Sequence, residues 1–132
     1  MEEKTVKFEY DAVNNIVFTD DNYQVNTEAD VDDFFRQYTD YLVPLGRKVN
    51  MISKIDGLHI SAAISPYYGK RAKETVIQYV LNFARYGENP TARMTVRTSS
   101  RKADLETNIC DSREQALEYL LKLMGQPEKP KA

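Results

Sequence analysis

The stretch SPYYGKRAKETVIQYVLNFARYG, residues 65–87, decides the fold because it predicts the longest helix of the chain. Ser65-Pro66 is a strong start signal, since a hydroxyl cap precedes the residue best suited to the first helical turn. The apolar residues of 76–84 cover a wide arc, and Gly87 is well placed as a C-terminal stop. We therefore predict one helix over 66–86 that packs on a sheet and also contacts another helix or a second subunit.

The opening turns of this predicted helix carry charges of the unfavourable sign. Lys70, Arg71 and Lys73 lie near the N-terminus, where the helix macrodipole favours anions. Gly69 weakens the helix in the same stretch. Residues that break a local rule often serve a function, so this is the first place to look for a binding surface.

On the N-terminal side, alternating and periodic apolar residues predict a hairpin, a helix and a further strand. Thr27 caps the helix, and Asp20-Asp21-Asn22 is expected to end the hairpin. Asp56-Gly57 is a turn signal, after which Leu58–Ile60 either form another strand or lead towards the next helix. The predicted elements are strands at 6–10 and 16–18, a helix at 28–42 and a strand at 48–55.

On the C-terminal side, Met94, Val96 and Thr98 alternate with polar residues and predict a strand with one basic face. A turn at 99–102, a returning strand at 105–109 and a final helix to Met124, capped by Asp111, follow from similar patterns. Residues 126–132 are expected to be a disordered polar tail.

The predicted order is β-β-α-β-α-β-β-α. Strands that alternate with helices indicate an α/β fold with a single mixed sheet, here of about five strands with three helices. We expect residues 1–125 to form one domain in which the helix-linked strands are parallel neighbours.

Composition narrows the function classes. The chain has 132 residues and a net charge of −2, which argues against nucleic-acid binding. No apolar run approaches the roughly 20 residues that span a membrane, and the N-terminus lacks a secretory signal. Cys110 is the only cysteine, which favours a reducing compartment, so we expect a cytoplasmic protein of bacterial type.

The residues that usually carry catalysis are sparse. His59 and Cys110 are the only histidine and cysteine, and no group of acids around either has the spacing of metal ligands. No glycine loop has the spacing of a phosphate-binding motif. We therefore predict no metal, no cofactor and no catalytic residue.

The remaining candidate is a binding surface around the cation-bearing helix start. Free backbone N–H groups together with Lys70 and Arg71 suit an anion or an acidic partner. The alternative is a solvated helix face whose cations pair with Glu74 or with acids of the first helix. The predicted binding residues are His59, Ser61, Ser65, Tyr67, Tyr68, Lys70 and Arg71.

Arg93, Arg97 and Arg101 with Lys102 form a second basic group. On one face of a strand, the side chains of Arg93 and Arg97 would lie about 13 Å apart, too far for one small anion. An acidic protein surface or another subunit would fit better, and solubilising charge at a sheet edge is the simpler interpretation.

The element order and the closing segment Asp111-Ser112-Arg113-Glu114-Gln115-Ala116-Leu117 resemble those of STAS-like proteins, which include the anti-sigma-factor antagonists. The resemblance implies a regulatory serine, preceded by aspartate, at the start of the helix after the central strand. The corresponding serines here, Ser61 and Ser65, each follow an isoleucine. The resemblance also implies a helix between the last two strands, where the sequence pattern predicts only the turn at 99–102.

We therefore expect a non-enzymatic, protein-binding regulatory module whose partner is another protein or a second copy of the chain. The alternative is a small-anion-binding protein or minor enzyme that uses the 65–73 helix start, with His59 or a tyrosine acting on the ligand.

Overall fold

The computed structural model describes residues 4–125, so the predicted tail at 126–132 lies outside the described residues. The described chain is a mixed α/β structure with one mixed sheet, which confirms the predicted fold class. Short 3₁₀ turns cover Val43–Leu45 and Ala62–Ile64. The elements are β1 Thr5–Asp11, β2 Ile16–Val25, α1 Glu28–Leu42, β3 Val49–Lys54, β4 Leu58–Ile60, α2 Ser65–Tyr79, β5 Val80–Tyr86, α3 Pro90–Lys102, β6 Ile109–Cys110 and α4 Arg113–Met124.

The sheet has the strand order β1-β2-β3-β5-β6, and β4 pairs with β2 beyond the end of β3. β1 and β2 form an antiparallel hairpin, whereas every other pairing is parallel. The prediction that helix-linked strands are parallel neighbours is confirmed for β2–β3. β3 and β5, which α2 links, also pair in parallel, although β5 was not predicted as a strand.

The long helix predicted over 66–86 is wrong after Tyr79. Val80 already has extended backbone, with φ −121° and ψ 133°, and β5 follows with no intervening loop. This strand pairs with β3 on one side and with β6 on the other. A strand buried between neighbours is apolar on both faces, which by pattern alone resembles a helix with a wide apolar arc.

The strand predicted over 93–98 is also wrong, because these residues belong to α3. Asn89 caps this helix by accepting hydrogen bonds from the backbone of Thr91 and Ala92. Ala92 and Val96 are buried one turn apart, while Met94 is 58% exposed. The described chain therefore has four α-helices rather than three, and of the returning strand predicted at 105–109 only Ile109 belongs to β6.

Two smaller boundaries also differ from the prediction. Asp20-Asp21-Asn22 does not end β2, which continues to Val25 because the buried Asp21 finds hydrogen-bond donors within the core. The cap of α4 is Ser112, one residue after the predicted Asp111, and its hydroxyl accepts from the backbone of Gln115.

The helices pack unequally on the two faces of the sheet. α1, α2 and α3 cover one face and enclose the larger core, which includes Phe34, Tyr68 and Val96. α4 covers the opposite face with Ala116 and Leu120. Consecutive helices α3 and α4 therefore leave the neighbouring strands β5 and β6 towards opposite faces.

Within residues 4–125, no helix combines the length and apolar character needed to cross a bilayer.

Candidate functional site

The glycine at the start of α2 has a structural reason. A Cβ atom on Gly69 would lie 2.2 Å from the carbonyl oxygen of Ser99 on α3. Only a residue without a side chain allows the two helices to approach this closely. Gly69 has a low helix propensity, but the close packing of α2 on α3 requires it.

Ser65 does not cap α2 in the predicted way. It is the first helical residue, it is 2% exposed, and its hydroxyl donates to the carbonyl of Ala62 at 3.0 Å. The same oxygen accepts from the ammonium of Lys102 at 2.8 Å. Ser65 thus joins α2 to the C-terminal end of α3.

The charge of Arg71 is matched by an acid of the first helix, as the alternative interpretation of this surface proposed. Asp32 on α1 accepts hydrogen bonds from the Arg71 guanidinium and from the Tyr67 hydroxyl, the latter at 2.6 Å. The bond to Asp32 raises the pKa of Tyr67, because an ionised phenol would face a carboxylate. We call Asp32, Tyr67 and Arg71 the α1–α2 clasp.

Tyr68, on the opposite side of α2, lies in the core. It is 4% exposed, and its ring packs beside those of Phe34 and Phe35 at 5.7 and 5.2 Å between centroids. Burial raises the pKa of Tyr68 far above its ordinary value. Its hydroxyl proton is therefore held at any physiological pH.

The other predicted binding residues differ in exposure. Lys70 is exposed and makes no ion pair within the described residues. His59 is exposed on β4 opposite Gln24. Ser61 is half-buried, donates its hydroxyl to the Asn26 side chain and donates its backbone N–H to Val25 at 2.9 Å. Tyr67, Lys70 and Arg71 therefore lie together at the surface, whereas Ser65 and Tyr68 are buried.

A buried polar cluster that sequence reasoning missed lies beneath the three helices. Thr19, Ser53 and Arg85 occupy one register row across β2, β3 and β5. The Thr19 hydroxyl lies 2.8 Å from that of Ser53 and 3.1 Å from an Asp21 carboxylate oxygen. Tyr38 of α1 donates to the same Asp21 oxygen at 2.6 Å.

The two charged members of this cluster are both perturbed by burial. Burial raises the pKa of Asp21 to about 7, although hydrogen bonds from Tyr38 and Thr19 act in the opposite direction. Burial lowers the pKa of Arg85, whose guanidinium donates to Ser100 at 2.9 Å and to the Thr107 carbonyl at 3.2 Å. In the sequence, the one indication of this buried cluster was the two-residue spacing of Thr19 and Asp21, which places both side chains on one face of a strand.

A groove of about 460 Å³ opens at the carboxyl ends of β5 and β6, between the starts of α3 and α4. Arg93 bridges the two strand ends, since it donates to the carbonyls of Gly87 at 2.8 Å and Cys110 at 3.0 Å. It also pairs with Asp111 at 3.1 Å. We call this cavity the α3–α4 groove; its lining includes Glu88, Pro90, Arg93, Met94, Arg97 and Asp111.

Because Arg93 and Arg97 lie on a helix and not on a strand, the distance expected between their side chains is shorter. Arg93 and Arg97 are four residues apart on a helix, so their Cβ atoms are neighbours at about 6 Å rather than the 13 Å expected for a strand. The objection that one small anion cannot contact both guanidinium groups therefore no longer applies.

Among the described residues, no three His, Cys, Asp or Glu side chains converge in an arrangement that could hold a metal ion.

No protein-family model matches the chain, and the search of curated proteins finds no match.

Proposed function

We propose that this protein is a non-enzymatic regulatory module of the STAS-like class that acts in the cytoplasm and docks an acidic surface of a partner protein. The docking site is the α2 surface, which we define as Ala62, Ala63, Pro66, Tyr67, Lys70 and Arg71.

The α1–α2 clasp is the observation that carries this proposal. Asp32 holds Tyr67 and Arg71 in place, and the neighbouring Lys70 remains exposed. Side chains that are ordered before a partner arrives lose less entropy on binding. Because Asp32 matches the charge of Arg71, Lys70 supplies the positive charge that remains to attract an acidic partner.

The shape of the α2 surface favours a protein over a small molecule. Ala62, Ala63 and Pro66 are exposed small residues, and the α3–α4 groove lies elsewhere on the molecule, at residues 87–97 and Asp111. Small molecules generally bind in concave sites, whereas proteins dock on open surfaces.

The presence of α3 between β5 and β6 supports the STAS-like class, because the resemblance implies a helix at this position.

The test compares two charge reversals on exposed lysines of different helices. Tagged wild-type protein, Lys70→Glu and the control Lys122→Glu on α4 are used to capture partners from the native cell, with quantification by mass spectrometry. We expect Lys70→Glu to reduce capture of the specific partner by about tenfold or more, the size of one lost charge-assisted contact, and Lys122→Glu to leave it unchanged. Equal capture by wild type and Lys70→Glu would refute this docking site.

A second copy of the chain is the other candidate partner for the same surface. If the partner is a second copy, sedimentation of the purified wild type should show a dimer, which Lys70→Glu dissociates and Lys122→Glu does not. A monomer at all concentrations, together with a Lys70-dependent captured protein, supports the heterologous partner.

A further inference from the structure

We propose that the α3–α4 groove is a second binding site, which takes the phosphate ester of a small polyhydroxylated molecule such as a sugar phosphate. This inference is independent of the proposed function, because it concerns different residues at a different edge of the molecule.

The position of the groove favours a ligand site. It lies outside the carboxyl ends of the adjacent parallel strands β5 and β6. The helices that follow these strands pack on opposite faces of the sheet, since α3 joins the larger core and α4 the smaller one. In open α/β sheets, ligands bind in the crevice that such a divergence creates. A volume of about 460 Å³ also suits a small metabolite.

The two arginines of the groove, Arg93 and Arg97, have hydrogen-bonding capacity left for a ligand. The contacts of Arg93 to Gly87, Cys110 and Asp111 all use one nitrogen, Nη1. A guanidinium has five N–H groups, so Nε and Nη2 keep donors that no acceptor among the described residues uses. Arg97, one turn further along α3, is half-buried and has no ion pair within the described chain. Paired guanidinium groups are well suited to phosphate.

The acids of the groove define the rest of the ligand. Asp111 already pairs with Arg93, so an incoming anion competes with a carboxylate for the same guanidinium. A phosphate dianion competes better than a single carboxylate does because of its larger charge. Glu88 also lines the groove and repels a bare anion, but its carboxylate accepts hydrogen bonds from hydroxyl groups. Met94, which is 58% exposed, offers an apolar contact for ring carbons.

The experiment titrates the protein with ribose 5-phosphate, inorganic phosphate and ribose, and follows backbone and arginine side-chain NMR signals. We expect saturable shifts at Glu88, Arg93 and Arg97 with ribose 5-phosphate, and weaker binding of the other two probes. No saturable shift up to about 10 mM ribose 5-phosphate would overturn the proposal. Inorganic phosphate that binds as tightly as ribose 5-phosphate would overturn the polyhydroxylated class, and ribose that binds as tightly would overturn the phosphate contact.

Matched variants assign the contacts. Arg97→Gln should weaken ribose 5-phosphate binding by about tenfold or more, whereas Arg101→Gln, one turn beyond the groove lining, should change it less than about twofold. Asp111→Asn removes the competing carboxylate and should tighten binding by about threefold to tenfold. Equal affinities of wild type and either groove variant would contradict the assigned contacts.

One further variant keeps the proposal testable if Arg97→Gln fails to fold. Glu88→Gln should reduce the preference for ribose 5-phosphate over inorganic phosphate, because it removes the hydroxyl acceptor and the repulsion of a bare anion together. An unchanged preference would contradict the role of Glu88.

Discussion

The start of α2 and the start of α3 both carry arginines near a helix N-terminus, but the two helices use them differently. At α2, Arg71 pairs with Asp32 of a neighbouring helix, and Gly69 and Ser65 serve contacts with α3. At α3, Arg93 bridges two strand ends, and Arg97 lines an open groove. A cation in an unfavourable position is thus insufficient to identify a ligand site, since the arrangement of its acceptors decides what it can bind.

The largest effect that we predict concerns the polar cluster beneath both helices. The pKa of Asp21 is raised from 3.8 to about 7, so the folded protein binds a proton that the unfolded chain releases. That proton stabilises the fold at low pH, and the stabilisation is lost as pH rises from about 4 to about 7, by up to about 4 kcal/mol. Urea unfolding of wild type and Asp21→Asn across this range measures the difference.

Asp21→Asn keeps an oxygen that can accept from Tyr38 and Thr19 but does not titrate, so its stability should lack this component of the pH dependence. If the two proteins show parallel stability profiles between pH 4 and pH 8, the proton on Asp21 is not part of the folded state.

The next effect tests the close approach of α2 and α3. Gly69→Ala forces the two helices apart, because the new Cβ atom would meet the backbone oxygen of Ser99. We expect a loss of about 1–3 kcal/mol of unfolding free energy, as for other overpacked sites. Chemical denaturation measures it.

Gly125→Ala at the end of α4 is the matched control, since its nearest neighbour is a carbonyl oxygen 3.6 Å from the new Cβ atom. This variant should change the unfolding free energy by less than about 0.5 kcal/mol. Equal losses in the two variants would show that the α2–α3 distance does not depend on the glycine.

The smallest effect concerns the α1–α2 clasp. Asp32→Asn removes the charge partner of Arg71, but both side chains are partly exposed, so the expected cost is only about 0.5 kcal/mol. Thermal unfolding at low and high salt checks this, and the difference should vanish in high salt. A loss above about 2 kcal/mol would mean that the clasp holds the fold rather than orders a surface.

Local signals predicted the elements whose packing follows from their own sequence. Thr27 caps α1 as predicted, and the apolar residues of this helix from Val31 to Leu42 form its buried face. The structure adds a capping box with Asp30 that was not predicted. β5 and α3 were assigned incorrectly because neighbours distant in sequence determine them. β5 carries buried apolar residues on both faces, with Phe83 in the larger core and Ala84 in the smaller one. The alternation around Met94 arises by chance on an amphipathic helix.

The site was only partly accessible from sequence for the same reason. The pairing of Arg71 with an acid of the first helix was among the alternatives that composition and helix order allowed. The row of Thr19, Ser53 and Arg85 depends on the register of three strands. The groove depends on α3 and α4 diverging across the sheet, which no local pattern encodes.

One measurement tests most directly whether the two helix starts serve different ligands. The partner captured by wild-type protein is quantified with Lys70→Glu and with Arg97→Gln, each checked for an unchanged fold by circular dichroism. We predict that Lys70→Glu loses the partner and that Arg97→Gln retains it. Loss of the partner with Arg97→Gln and its retention with Lys70→Glu would contradict a docking site on α2 and place it on α3 instead.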